Sequence, residues 1–122
     1  MLNPERIQAG DRVLAVTKAD TGLPTMMVGT VSGFALWTAE THAVKTVNVP
    51  SEYPLPTEGG ETTGAVFLNL EGFEEEDSPV AFDIAEVYPY DDVVHHQLKA
   101  HINEVSVAYM RFADYVNRLN RA

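Results

Sequence analysis

Residues 91–120, near the end of the chain, have the pattern of one long amphipathic helix. Apolar side chains recur there in alternating steps of four and three residues, which places them on one side of a helix and which no strand reproduces. We call these seven side chains the apolar stripe: Leu98, Ile102, Val105, Tyr109, Phe112, Val116 and Leu119. The pattern predicts a helix with one continuous apolar side.

The predicted helix is longer than the rest of the chain can cover. Thirty residues at 1.5 Å per residue extend about 45 Å, whereas a compact body of the remaining ninety residues is about 30 Å across. We expect the same helix of a second chain to cover the remainder, which makes the apolar stripe the predicted interface of a homodimer or higher homo-oligomer. The alternative is a helix packed entirely against its own domain.

Residues away from the stripe refine the prediction. Off-stripe apolar residues indicate that the first half of the helix is covered on two sides; they are Val93, Val94, Val107 and Met110. In the second half, Asp114 precedes Arg118 by four residues, which predicts an ion pair on a solvent-exposed face of the helix. An Asp at residue 91 or 92 is available as the N-cap.

Short apolar segments separated by turn signals precede the helix. They predict strands at residues 12–18, 25–34, 43–49, 65–70 and 80–88, with residues 35–39 either continuing the second strand or starting another. Acidic loops are predicted at residues 51–64 and 71–79. The fold class that follows is α+β and mostly β: a small, strongly bent antiparallel sheet or SH3-like partly open barrel of five or six strands, followed by one long C-terminal helix. Residues 1–90 then form the β domain, and residues 91–122 the oligomerisation element.

Two glycine-bearing segments of the β domain resemble the first hairpin of SH3-like barrels. They are Gly10-Asp11-Arg12-Val13 and Gly29-Thr30-Val31, with the loop at Gly22 between them. The resemblance covers residues 10–31 and implies a fold but no activity, because such barrels have many unrelated functions. The translation-factor version is basic and binds nucleic acid, whereas this segment has few positive charges. Gly29 and Gly33 also predict a bend or a close backbone approach in the second strand.

The acidic charge is concentrated in the middle of the chain. Residues 51–92 contain twelve acidic and no basic side chains, whereas residues 1–50 contain four of each and residues 93–122 contain two acidic and four basic ones. Such a segment attracts basic surfaces and repels phosphate, so we expect a basic protein partner rather than nucleic acid. The predicted partner-binding residues are Glu71, Glu74, Glu75, Glu76 and Asp77. The alternative is a loop that only increases solubility.

No catalytic motif is present. The chain has no cysteine, which excludes disulfides, thiolate catalysis and cysteine zinc sites. Its serines lie in no nucleophile motif, and its glycines form neither a P-loop nor a dinucleotide-binding turn. We therefore predict a non-enzymatic binding or assembly protein without a cofactor, which pairs through its helix and offers an acidic surface to a basic protein. An inhibitor or immunity-type protein is a specific version of this function.

The alternative function is a small enzyme or ligand-binding barrel that uses carboxylates and a histidine around a substrate or an ion. Asp83 and Glu86 are the candidate carboxylates, and His42 or His101 the candidate histidine. Such carboxylates do chemistry only where burial or a like charge separates their pKa values. His101 and Glu104 have the three-residue spacing of ligands on one helix, but two ligands do not complete a metal site, so no metal is predicted.

The sequence has no membrane or export signal. No window approaches the eighteen apolar residues of a membrane span, and the amino terminus lacks a basic stretch followed by an apolar run. We expect a cytoplasmic protein that does not enter a membrane.

Overall fold

The computed structural model describes residues 7–18, 22–57, 62–72 and 79–121. Within these residues there are six strands, a 3₁₀ turn at Ile84–Glu86 and one helix. The elements are β1 (Arg12–Lys18), β2 (Pro24–Thr38), β3 (Ala43–Val47), β4 (Thr62–Leu70), β5 (Val80–Asp83), β6 (Val87–Pro89) and α1 (Asp92–Arg121). The predicted fold class, mostly β with one long C-terminal helix, is confirmed.

The strands form one open antiparallel sheet that is strongly bent. Its strand order is β5-β4-β2-β1-β6, and β3 pairs with the second half of β2. In a flat sheet with strands about 4.8 Å apart, the two outer strands would lie about 19 Å from each other. Only the three-residue 3₁₀ turn joins β5 to β6, and it extends about 6 Å. The sheet must therefore curl until its outer strands approach each other, as the prediction of a bent sheet or partly open barrel requires.

Gly33 marks the point at which β2 bends. The register between β2 and β4 shifts between Val31 and Gly33. A Cβ atom on Gly33 would collide with the backbone oxygen of Val47 and would lie 2.6 Å from that of Asn48. Glycine is required here because two backbones lie where a side chain would be, which confirms the predicted close approach.

The hydrophobic core lies on one face of the sheet, in the alternating positions of its strands. It contains Ile7, Val13, Ala15, Val31, Phe34, Leu36, Val66, Leu68, Phe82, Ile84 and Val87. Residues that alternate with these on the opposite face are buried as well, namely Leu14, Ala35, Trp37, Ala65 and Phe67. Tyr53 packs edge-on against Phe67, with ring centroids 4.9 Å apart, and His42 packs against Trp37 at 6.1 Å. Side chains from the connecting loops thus contact the second face.

The prediction of one continuous last strand at residues 80–88 is wrong, because a 3₁₀ turn divides this segment into two strands. The side chain of Asp83 accepts a hydrogen bond from the backbone N–H of Ala85 at 2.9 Å, and this cap starts the 3₁₀ turn. The turn sends the chain from one edge of the sheet to the other, so β5 pairs with β4 and β6 pairs with β1. Apolar alternation across residues 80–88 does not reveal this break.

Other strand boundaries also differ from the prediction. β2 begins one residue early and continues through residues 35–38, which is one of the two alternatives predicted for that segment. β3 ends two residues early because Asn48 has a positive φ of 47°. β4 begins three residues early, inside the predicted loop, and includes Gly64, where a Cβ atom would lie 2.8 Å from the Cα atom of Leu36. That glycine permits close strand packing, although glycine usually indicates a loop.

The described residues divide into two compact units. The first contains residues 7–16 and the described part of residues 27–90, and it includes the entire hydrophobic core. The second contains α1 together with the end of the β1–β2 hairpin, within residues 17–26. The sequence pattern does not indicate that the hairpin end groups with the helix.

Candidate functional site

The helix α1 starts at a side-chain cap. Oδ1 of Asp91 accepts hydrogen bonds from the backbone N–H groups of Val93, at 2.9 Å, and Val94, at 3.0 Å. A cap of this kind contributes about 1 kcal/mol to helix stability. Asp92 in the first turn and two arginines in the last turn also complement the helix dipole. The predicted helix is confirmed to within one residue at each end.

The apolar stripe lies on one face of α1 and is accessible to solvent. Of residues 92–121, none is buried. Four stripe residues are exposed: Val105 (45%), Tyr109 (45%), Phe112 (66%) and Leu119 (57%). The other three, Leu98, Ile102 and Val116, are half-buried. The described part of the single chain thus leaves most of the stripe uncovered.

Further apolar side chains of α1 are exposed outside the stripe. They are Val93 (65%), Val94 (41%), Val107 (46%), Met110 (67%) and Tyr115 (60%). The prediction that the first half of the helix is covered on two sides is therefore wrong for the single chain. The apolar pattern identified these residues as candidates for burial, but a pattern does not say whether a partner surface is present. Large contiguous apolar patches are rare on monomers and indicate interaction surfaces.

The polar side of α1 contributes little to holding the helix in place. Nη2 of Arg118 lies 2.8 Å from Oδ2 of Asp114, which confirms the predicted ion pair. Both side chains are more than half exposed. An exposed pair of this spacing contributes about 0.3 to 0.5 kcal/mol, much less than burial of one large apolar side chain. The apolar stripe is the energetically important face.

The candidate ion ligands on α1 are open to solvent. Nδ1 of His101 lies 3.9 Å from Oε2 of Glu104, and both side chains are at least three-quarters exposed. Across the described ranges, no group of three or more histidine and carboxylate side chains is arranged to hold a metal ion. Nothing in this pair beyond its spacing indicates a bound ion.

The carboxylates and histidines of the alternative function have different surroundings. Asp83 is exposed and caps the 3₁₀ turn, and Glu86 is half-buried. His42 is exposed and contacts the ring of Trp37, whereas His101 belongs to the second unit. In the part of the chain that the structure describes, no polar or charged residue is buried. None of these carboxylates is thus desolvated in the way that acid–base chemistry requires.

Among the predicted partner-binding residues, only Glu71 can be located. Its carboxylate accepts two hydrogen bonds from the guanidinium of Arg12, at 2.7 and 2.9 Å, and that guanidinium lies 3.9 Å above the ring centre of Tyr90. Glu71 therefore links the end of β4 to the start of β1. The remaining predicted residues, Glu74, Glu75, Glu76 and Asp77, lie outside the described residues.

The fold and the exposed stripe together define a small, mostly β protein with an amphipathic C-terminal helix. In comparisons with family models, curated proteins and solved structures, the chain has no match. Among the described residues, no helix has both the length and the apolar character that crossing a bilayer requires.

Proposed function

We propose that this chain is a non-enzymatic assembly protein that self-associates through the apolar stripe of α1 and offers an acidic surface to a basic protein partner. The observation that supports self-association is the exposure of Val105, Tyr109, Phe112 and Leu119 along one side of a single helix. Removing apolar surface from water is favourable by about 25 cal/mol per Å², so a partner that covers this side is stabilised by it.

A second copy of α1 has the chemistry that fits the stripe. Alternating steps of four and three residues are the spacing that lets two helices interlock along a seam. Positions beside the seam are small or uncharged, so helices can approach closely; they are His101, Ser106, Ala108, Ala113 and Tyr115. Residues 92–121 have four basic and three acidic side chains, a net charge of +1, so pairing these helices brings little like-charge repulsion.

Two valines of α1 allow a matched test of this proposal. Val105 belongs to the stripe and is 45% exposed, whereas Val107 is 46% exposed and lies about 200° around the helix from it. We expect Val105→Glu to abolish self-association and Val107→Glu to preserve it. Burying one valine contributes about 1.5 kcal/mol or more, so losing two per dimer weakens pairing at least about 100-fold.

Solution mass by light scattering measures the effect, and circular dichroism checks that both variants keep their helix content. Because the two substitutions replace the same residue type at nearly the same exposure, they differ only in helix face. Equal loss of self-association in both variants would contradict an interface at the stripe. So would a Val105→Glu protein with an unchanged mass.

The acidic half of the proposal is supported by the charge distribution. All of the excess negative charge lies in residues 51–92, and Glu74, Glu75, Glu76 and Asp77 are consecutive there. A dense block of carboxylates raises the local concentration of basic partners and speeds their association. Because Glu71 is held by Arg12, we assign the contact mainly to residues 74–77. We also propose that the chain is cytoplasmic and binds its basic protein partner there.

Charge-matched variants test the acidic surface. We expect Glu74→Gln, Glu75→Gln and Glu76→Gln together to weaken capture of a lysine-rich peptide, measured by fluorescence anisotropy. The control removes three carboxylates outside residues 51–92, with Glu40→Gln, Glu104→Gln and Asp114→Asn. Raising the salt concentration should weaken the wild-type interaction, because the Debye length falls from about 10 Å at 0.1 M to about 3 Å at 1 M. Equal binding by both variants would contradict a specific acidic surface.

A further inference from the structure

We infer that the two helices pair antiparallel, with Tyr109 of each copy opposite Phe112 of the other, so that the acidic residues 1–91 of the two copies are joined to opposite ends of the helix pair. This inference rests on the proposed self-association through α1. It concerns the direction and register of the pair, which determine how the dimer presents its acidic surfaces.

The register follows from which stripe residues are exposed. In antiparallel packing, the two alternating classes of seam residue face each other across the pair. One class is Ile102, Tyr109 and Val116, and the other is Leu98, Val105, Phe112 and Leu119. Placing Tyr109 opposite Phe112 also places Val105 opposite Val116 and Ile102 opposite Leu119. Every exposed stripe residue then faces an apolar stripe residue of the second copy.

Neighbouring registers satisfy this condition less well. A shift of seven residues toward the helix start places the polar ring of His95 opposite Leu119, which is 57% exposed. A shift of seven residues in the other direction leaves Ile102 and Val105 without a stripe residue to face. The register with Tyr109 opposite Phe112 brings four aromatic rings together at the two-fold axis, where aromatic pairs contribute beyond their buried area.

We infer the antiparallel direction of the helix pair from the distribution of charge along the chain. The residues beside the apolar stripe do not favour either direction. Along residues 101–119, the positions beside the seam contain no Asp, Glu, Lys or Arg that would select a parallel or an antiparallel partner. The net charge of the segment that precedes α1 favours one direction instead. Residues 1–91 contain fifteen acidic and four basic side chains, a net charge of −11, and this segment is joined to the start of α1.

In a parallel pair, the two points at which a segment of charge −11 joins α1 would be only about 8 to 10 Å apart, the usual distance between paired helix axes. In the antiparallel register, the two helix starts lie about 55 Å apart, far beyond the Debye length of about 8 Å at physiological salt. The antiparallel pair also aligns unlike halves of α1. Residues 92–106 have two acidic and one basic side chain, whereas residues 107–121 have one acidic and three basic ones.

In a dimer of this form, the two acidic segments would be joined to opposite ends of the helix pair. Such an arrangement suits the bridging of two basic partners. A parallel dimer would instead form one doubled acidic surface. Direction and register thus determine whether the assembly connects partners or concentrates charge.

Disulfide cross-linking tests the direction, because the natural chain has no cysteine that would interfere. We would prepare Val105→Cys and Val116→Cys separately, let equal amounts exchange, oxidise them and separate the products on a denaturing gel. We expect no cross-link for either variant alone and a cross-linked heterodimer in the mixture. Tyr109→Cys mixed with Phe112→Cys provides a second pair, and light scattering under reducing conditions establishes that each variant still associates.

The outcomes separate the two proposals. Cross-linking of Val116→Cys with itself would show a parallel pair and overturn the inference while leaving self-association intact. Variants that associate when reduced but cross-link in neither mixture would overturn the register. A wild-type chain that remains monomeric would overturn the proposed function, and with it the inference. A cross-linked heterodimer in both mixtures supports the antiparallel register.

Discussion

Gly33 lies where two backbones leave no room for a side chain. A Cβ atom there would contact the backbone oxygens of Val47 and Asn48, and backbone atoms cannot move aside as a flexible side chain can. We expect Gly33→Ala to lower the free energy of unfolding by about 3 kcal/mol, the upper end of the usual range for overpacked sites. Urea unfolding followed by the fluorescence of Trp37 measures the change.

Gly72 provides the matched control for that substitution. It has a positive φ of 88°, but nothing lies within 4 Å of where its Cβ atom would be. Gly72→Ala should therefore cost only the backbone strain, about 1 kcal/mol. If the two substitutions destabilised the protein equally, the close approach of β2 to the end of β3 would not account for the glycine at residue 33.

Residue-level contacts between distant parts of the chain are the least predictable from sequence. Arg12 and Glu71 are 59 positions apart, and nothing in either segment indicates that they form a two-pronged ion pair. The same pair makes Glu71 part of the fold, although composition alone places it with the acidic partner-binding residues. The sequence shows that acidic residues cluster at residues 71–77. It does not show which of these carboxylates can contact a partner.

At the scale of elements, local periodicity determined how much could be predicted. α1 was predicted to within one residue because its stripe repeats over six steps and an Asp cap precedes it. β1 was predicted at its observed bounds for a similar reason, since a Gly-Asp turn directly precedes a run of apolar residues. These signals are short-range, so they are readable from neighbouring residues.

Elements whose ends depend on distant contacts were predicted less well. One hydrogen bond from Asp83 splits the apolar run of residues 80–88 between opposite edges of the sheet. β4 extends into the predicted loop because Gly64 packs against β2, which is far away in sequence. The placement of the stripe residues on one face of α1 could be predicted from their spacing, whereas the exposure of Val93 and Met110 depends on what covers the helix.

The whole molecule combines a β unit with a buried hydrophobic core, an exposed apolar helix face and a strongly uneven charge. The net charge of −10 arises in the segment before α1, while α1 itself is nearly neutral. In the proposed antiparallel dimer, the helices associate through apolar contact, and the acidic segments join the pair at points about 55 Å apart. Salt should therefore leave the helix pairing unchanged or strengthen it, whereas it should weaken binding of a basic partner.

The most direct test is the solution mass of the full chain, measured by light scattering over a range of protein and salt concentrations. We expect twice the chain mass of 13.4 kDa at tens of micromolar, with no loss of mass as salt is raised. A mass of 13.4 kDa at every concentration and salt level would contradict the claim that a second copy covers the apolar stripe.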